Sequence, residues 1–431
     1  MDELGALLKG QRRRLVAHLA RALGLGHLAL AEDAVQVASL RALERWPQEG
    51  WPAHPTGWLY RVAHHHAIDA LRAAGRLQTL PDDDDDAGLH WAAAELAPGR
   101  LQGELDDDEL ALLFAACHPR LPAATQVALA LRALCGMELT AIAECLFSTE
   151  AAMAQRLARA RGTLAGEVLE IPAGADLAPR RDAVMTALLL MFHHGQQAAG
   201  RRGDAQPRPA PSDDALTLCW EAIRLARALA AHPATAQAEA DALAALLLLH
   251  GARLTGRVDE RGDIVPLPGQ PRDRWDAGLI RLGLSHLQAA QRAERLSRWH
   301  LMAGIAAERA LAPDHAGTNW PAIVRYYALL VQVDPSAAPA LGHAIALAEA
   351  GSAEEALVRL QTLESRVPVD LRPHRWAAMA RAQERLGRPD EALRCLDAAI
   401  VHTRHVADAR LLARRRAGLA ASAQAGEERS P

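Results

Sequence analysis

Two stretches of this sequence carry side chains suited to gripping a polyanion or a flat base. The first is Leu139 to Leu164, LTAIAECLFSTEAAMAQRLARARGTL. A first helix carries Leu139, Ile142, Ala143 and Leu146. A short turn passes through Phe147 and Ser148, and a second helix carries Met153, Leu157, Ala160 and Leu164. These apolar positions recur every three or four residues and face one core. Opposite them project Gln155, Arg156, Arg159 and Arg161. That is the layout of a helix-turn-helix whose second helix enters the major groove. There an Arg can contact phosphate or take both guanine acceptors, and a Gln can read adenine. The same pattern also suits a plain helical hairpin with an Arg-rich solvated face.

The second stretch is Ala31 to Trp46, AEDAVQVASLRALERW, with Pro55 to Arg76, PTGWLYRVAHHHAIDALRAAGR. Trp58, Val62 and Ile68 alternate with Arg61, His64, His65, Asp69 and Arg72. An aromatic beside basic side chains can stack unpaired bases while the charges hold the backbone. A core Trp with solvated charges fits equally well. His64, His65 and His66 are consecutive on a helix, so they point about 100° apart and cannot converge on one ion. His193 and His194 fail for the same reason, so no metal is expected. A pH-sensitive charge on the triple His is a further reading, since His titrates at about 6.5. No nucleophile elbow, phosphate-binding glycine loop or paired catalytic carboxylates stand out, and Lys9 is the only lysine. Catalysis and a cofactor are therefore not expected.

The elements that must position these residues are helices. Half of the 431 residues are hydrophobic, but only 3% are aromatic, and Ala, Leu and Arg dominate. Such a composition favours stacked helices over a large sheet. The net charge of −4 hides an asymmetry. From Leu77 to Glu109 eleven acids (Asp82 to Asp86, Glu95, Glu104, Asp106 to Asp108, Glu109) face one base, Arg100. That window carries −10 and the remainder +6, so a basic surface for nucleic acid is allowed. Five scattered cysteines without a C-x-x-C pair fit a reducing cytoplasm. The N-terminus lacks the pattern of a secretory signal. The longest apolar stretches, such as Ala242 to Leu249, fall short of the roughly 20 residues needed to span a bilayer and read as buried helix faces.

Residues 1–76 read as a first helical domain. Leu15, Leu19 and Leu23 form one stripe, and Val35, Leu40 and Leu43 belong to another. The run WPQEGWPAHP, Trp46 to Pro55, holds three prolines and a glycine and is expected to be a loop. Thr56 is expected to cap a helix from Gly57 to about Ala74. Residues 77–104 form an acidic linker, either a solvated spacer or a mimic of nucleic acid that occupies a basic surface. Residues 105–170 form a second helical block, broken by Pro119 and Pro122 after its first helix. Residues 171–431 are a third region, helical except for the strand- or turn-like GDIVPLP at Gly262 to Pro268. Near its end GSAEEAL at Gly351 aligns with GRPDEAL at Gly387, an offset of 36 residues. Such helical hairpins resemble tetratricopeptide repeats, clearest at 335–402.

With these motifs in order, the chain resembles the extracytoplasmic-function sigma factors of bacterial RNA polymerase. The 31–46 and 55–76 stretches resemble region two, and the helix-turn-helix resembles region four. CHPRL at Cys117, MAQRL at Met153, GQPRDRWD at Gly269 and the long helical C-terminus resemble the branch with a tetratricopeptide-like C-terminal domain. The resemblance implies an all-α, cytoplasmic, non-enzymatic protein: two small helical sigma domains and a large helical C-terminal domain. Its implied partners are core RNA polymerase, promoter DNA and a protein or peptide for the C-terminal domain, with no membrane. Asp33, Val35, Gln36 and Leu40 match the helix that docks on polymerase. Trp58, Leu59, Arg61, Val62, His64, His65, Asp69 and Arg72 match the segment that engages the melted minus-ten element. The loop Trp46 to Pro55 matches the one that accepts a flipped base. Gln155, Arg156 and Arg159, with Arg161 beside them, match the recognition helix for the minus-thirty-five element.

Four departures from the pattern stand out. His64-His65-His66 replace Arg-Asn-Arg, Ala70 replaces an Arg, Ser39 replaces a phenylalanine, and MFHHG at Met191 differs from the branch signature. Every phosphate left unneutralised lowers the salt slope of binding by about one unit. Two other readings remain at this point. One is a helix-turn-helix regulator with a tetratricopeptide-like sensor and no polymerase docking. The other is an enzyme within 171–431 attached to a DNA-binding module.

Overall fold

The computed structural model describes residues 2–73, 108–135, 137–146, 148–165, 167, 170–172, 174–200, 213–257, 259, 264–403 and 406–427. The linker 77–104 with its Asp82 to Asp86 run, and Phe147, lie outside the described residues. The protein is all-α, and the described residues contain no β-sheet. Two compact units divide the chain: 1–191 with 232–235, and 192–231 with 236–431.

The first unit begins with three helices, α1 (Asp2–Leu23), α2 (Leu28–Glu49) and α3 (Pro55–Ala73). Gly24, at φ 86°, ends α1 with its amide bonded to the Ala20 carbonyl. That left-handed backbone is open to glycine at little cost. Leu15, Leu19, Leu28, Ala31, Val35, Leu59 and Ala63 fill the core between the three helices.

Three local expectations are corrected here. The run from Trp46 to Pro55 is not one loop: α2 continues through Pro47 to Glu49, and only Gly50 to His54 is irregular. Pro47 forfeits one amide donor but sits within a turn of the helix end, where little of the ladder remains to be lost. Gly50, at φ 87°, closes the helix by bonding to the Trp46 carbonyl. Likewise α3 starts at Pro55, not behind a Thr56 cap; a proline at the first helical position gives up an amide that lacks a partner anyway. In addition, Val35 does not share a face with Leu40 and Leu43. Val35 is buried, whereas Leu40 and Leu43 stand 52% and 48% exposed. The spacings from 35 to 40 and 43 leave the core side of a helix, while 31, 34, 35, 38 and 42 stay on it.

The rest of the first unit holds α4 (108–116), α5 (Ala123–Cys135), α6 (Leu139–Cys145), α7 (Glu150–Thr163) and the start of α8 (Leu177–Gly200). Asp108 and Glu109, part of the acidic run by sequence, are fully buried at the head of α4. Asp108 accepts hydrogen bonds from Arg21 and pairs with His18. Glu109 lies 3.9 Å from Arg14, and Arg132 of α5 lies 3.5 Å from Glu32 of α2. These carboxylates therefore tie the two helical blocks together.

The second unit contains α9 (Asp213–Ala231), α10 (Ala238–Gly251), α11 (Ala277–Ala290), α12 (Arg298–Leu311), α13 (Trp320–Val333), α14 (Ala337–Glu349), α15 (Ala353–Thr362), α16 (Arg372–Arg385), α17 (Pro389–His402) and α18 (Val406–Glu427). Almost every residue of α10 is buried, so the apolar run Ala242 to Leu249 is the buried centre of this unit. The aligned hairpins α14/α15 and α16/α17 each turn on a left-handed glycine, Gly351 at φ 98° and Gly387 at φ 70°. Leu341, Leu347, Leu357, Leu360, Met379 and Leu396 make one core across both. Glu349, at the end of α14, is held by Arg381 at 2.7 Å and Arg385 at 2.5 Å. Burial alone would raise its carboxyl, but these two guanidiniums outweigh it and hold the group at about 2. Within the strand- or turn-like stretch Gly262 to Pro268, residues 262 and 263 lie outside the described residues, Ile264 makes an isolated bridge and Leu267–Gly269 is a 3-10 turn.

Candidate nucleic-acid interface

The side chains along α3 separate onto two faces. Leu59, Ala63, Ala67 and Leu71 are buried, and Arg61, His65, Asp69 and Arg72 are exposed. The exposed four stand at intervals of four, four and three residues, so they form one stripe along the helix. His64 belongs elsewhere. It is half-buried, its ring centroid 5.7 Å from that of Tyr60, which in turn lies 4.8 Å from His18 of α1. Burial, then His65 and His18, lower the His64 pKa, so this ring is neutral near pH 7. Of the three consecutive histidines, His65 is the exposed one, whereas His64 and His66 are partly covered.

At the α2–α3 corner three tryptophans meet. Trp46 is 3% exposed; its ring lies 5.3 Å from Trp58 in an edge-to-face arrangement and 5.5 Å from Trp51. Trp58 is half-buried and Trp51 is 47% exposed. Aromatic pairs in these geometries gain about 0.5–1.5 kcal/mol beyond area burial, so Trp46 holds the outer two rings in place. Trp58 keeps an open side and is not entombed. Trp51 is not among the candidate residues that the sequence singles out. Its signal is nonetheless there, a Trp in the middle of a proline-bounded turn next to Trp46 and Trp58.

The outward side of α2 presents Asp33, Gln36, Leu40 and Leu43, all exposed. Val35, expected among the docking residues, is 1% exposed and seats the helix in the core. Ser39 turns its hydroxyl back to the Val35 carbonyl at 2.8 Å. Ser39 therefore adds no aromatic surface to this face.

In the second helical block, Thr149 caps α7 by accepting the Ala152 amide at 3.3 Å. Ile142, Ala143, Met153, Leu157, Ala160 and Leu164 are buried, as their spacing required. Gln155 and Arg159 are exposed, and Arg156 is half-buried. Arg161 is also half-buried, and its charge acts on Glu32. Burial raises the Glu32 pKa, opposed by Arg132, Arg12 and Arg161. Thus Gln155, Arg156 and Arg159 share the open part of α7, while Arg161 leans towards α2.

Among the described residues no group of three or more His, Cys, Asp or Glu side chains could hold a metal ion. No described helix is long and apolar enough to cross a membrane.

The chain matches known families in two places. Residues 9–77 match the family described as Sigma-70 region 2. Residues 180–291 match a family of unknown function, DUF6596. The chain is also 35% identical over 386 residues to uncharacterized protein R00370 of Rhizobium meliloti (strain 1021), covering 89% of this chain and 88% of that one. No solved structure matches it.

Proposed function

The chain belongs to the same family as the Rhizobium meliloti protein, and from its sigma-70 region 2 at residues 9–77 we propose that it is a sigma factor that recruits core RNA polymerase to promoters and opens them. The observation that carries this reading is the pairing of two different surfaces on one three-helix block. On α2, Asp33 and Gln36 flank exposed Leu40 and Leu43, an apolar strip with polar edges suited to a protein partner. On α3 and its corner, Trp51 and Trp58 stand beside Arg61, His65 and Arg72, a stacking platform with backbone contacts suited to unpaired DNA.

Opening follows from differential binding. Stacked, flipped bases contribute about 1–3 kcal/mol each, and only separated strands offer them, so binding shifts the duplex towards the melted form. Gln155, Arg156 and Arg159 of α7 read intact duplex in the major groove, so the protein holds the promoter at two places. The two DNA elements lie about 25 base pairs apart, ~85 Å along the axis. A compact unit of about 190 residues is only ~40 Å across. The packed first unit must therefore open before both elements are held, and the Asp108, Glu109 and Glu32 contacts are the ones that part. The hairpins of the second unit resemble tetratricopeptide repeats and serve regulation by binding a protein or peptide. No catalytic step belongs to this reading.

Binding to purified core polymerase tests the docking half. The full chain is expected to bind, and Leu40→Asp to weaken binding at least tenfold with an unchanged melting temperature. Binding by the Leu40→Asp chain as tight as by the parent would leave a helix-turn-helix regulator without polymerase docking as the better account.

A further inference from the structure

Within the second unit, two chain segments are laced together beside the end of α10. The Asp276 amide donates to the Ala252 carbonyl at 3.0 Å, and the Thr255 hydroxyl donates to the Arg274 carbonyl at 3.0 Å. The Val265 amide donates to the Arg257 carbonyl at 2.8 Å. This lacing brings Arg253 and Arg272 to Trp275, which is 5% exposed, and Arg257 close enough for its charge to act on Arg253. Arg272 stacks on the indole with its guanidinium carbon 3.9 Å from the ring centroid, and Arg253 approaches the same ring at 5.7 Å. From α12, Arg309 adds its charge to Arg253 and to His250. His250 and His193 close the group with their ring centroids 6.4 Å apart.

Guanidiniums held this close repel one another, and an anion among them would relieve that repulsion. A guanidinium is planar, stays charged and donates through five N–H groups. Here Nε of Arg253, Nε of Arg309, and Nε and Nη1 of Arg272 are shielded from solvent with no acceptor among the described residues; the indole Nε1 of Trp275 is in the same condition. A buried donor without a partner costs about 1–3 kcal/mol, and native proteins keep few of them. Burial first, and then the charges of Arg257, Arg309 and Arg272, push the Arg253 pKa down to about 9. Asp314 acts on Arg272 and Asp408 acts on Arg257. Burial holds His193 at about 4 and His250 well below its usual value, so both rings are neutral and each can donate one N–H.

We propose that Arg253, Arg257, Arg272 and Arg309, with His193, His250 and Trp275, form a binding site for the phosphate group of a small molecule. A phosphate dianion suits a cluster of guanidinium donors, and its three terminal oxygens accept from several forks at once. A monocarboxylate offers one charge and two oxygens, too few for the donors present. Most of these residues fall within 180–291, the stretch that matches the family of unknown function. The proposal does not depend on the sigma-factor reading.

The test is calorimetric titration of the full chain, prepared in phosphate-free buffer, at ionic strength fixed with sodium chloride. Inorganic phosphate or phenyl phosphate is expected to bind one-to-one. Equal affinity for both identifies the free ion as the natural ligand, and tighter binding of the ester identifies a phosphorylated metabolite. Arg253→Gln and Arg272→Gln are each expected to weaken binding at least tenfold, and the exposed Arg274→Gln to change it less than twofold. In phosphate-free buffer Arg253→Gln is expected to melt no lower than the parent, because it relieves repulsion in an empty site. The proposal is overturned by no binding of either phosphate above the chloride control, or by tighter binding of citrate than of both. It is also overturned by undiminished binding in both Gln variants, or by a marked loss of stability of Arg253→Gln without phosphate.

Discussion

On the proposed reading, Trp58 and Trp51 have a stacking role and Trp46 a structural one. Trp46 is the buried member, so replacing it unfolds the corner, whereas Trp58 and Trp51 keep open faces. Trp58→Ala is expected to cost about 1–3 kcal/mol in promoter opening while leaving core-polymerase binding unchanged. Stopped-flow fluorescence of a base analogue in the minus-ten region measures it; loss of both properties together would contradict the division of labour. His64 gives a pH prediction. Its folded pKa lies below the unfolded value of about 6.5, so the unfolded chain takes up the proton first. Its contribution to stability is therefore present above pH 6.5 and is lost as pH falls through the lowered value. His118 acts in the same direction. His64→Gln is expected to reduce, not abolish, the fall in melting temperature between pH 7.5 and 5.5, and equal slopes would contradict the burial argument. At this scale the sequence is a fair guide to residue type but not to direction. Nothing in AHHHA tells which of three histidines turns inward; Tyr60 and His18, on the other side of the packing, decide it.

Among the elements, α2 and α4 carry the most consequence. The apolar spacing of α7 is legible because Met153, Leu157, Ala160 and Leu164 obey one period, and all four are buried. The extent of α2 is not, because proline density argues for a loop while the single proline inside the helix sits where it does little harm. The role of Asp108 and Glu109 is also hidden. They end a run of acids at the start of the second helical block, and partners about ninety residues earlier, His18, Arg21 and Arg14, bury them. No local pattern encodes a contact of that range. Burial alone would raise the Asp108 carboxyl, but hydrogen bonds from His18 and Arg21 outweigh it and hold it below the usual range. Asp108→Ala is expected to cost about 1–3 kcal/mol and to loosen α4 from α1. Small-angle scattering should then show a larger radius of gyration and duplex binding should tighten; an unchanged radius would contradict a clasp at this point.

For the whole molecule, stability and function fall to different groups. Glu349 clamps the two C-terminal hairpins through Arg381 and Arg385. Its depressed pKa means that stability is present above about pH 4.5 and is lost as pH falls towards 2. Glu349→Gln should remove about 2–3 kcal/mol from the second unit and flatten that acid transition in a calorimetric scan, because two guanidiniums lose their partner. Cys117 and Cys219 are buried with thiols pushed up to about 12, so neither is a reactive centre. The 36-residue repeat announces the paired hairpins, since Gly351 and Gly387 recur at equivalent turns. The arginine cluster around Trp275 is not announced, because its members come from α12, from α10's end and from an irregular segment between helices. The central claim is that the first three helices join polymerase docking to strand separation. It is tested most directly by run-off transcription with core polymerase on a library of genomic promoters. The account predicts transcripts from a defined set of promoters with the full chain, and their loss with Leu40→Asp. With Trp58→Ala, recovery of those transcripts on templates already melted at the start site is predicted. No transcript from any promoter, together with no association with core polymerase, would contradict it.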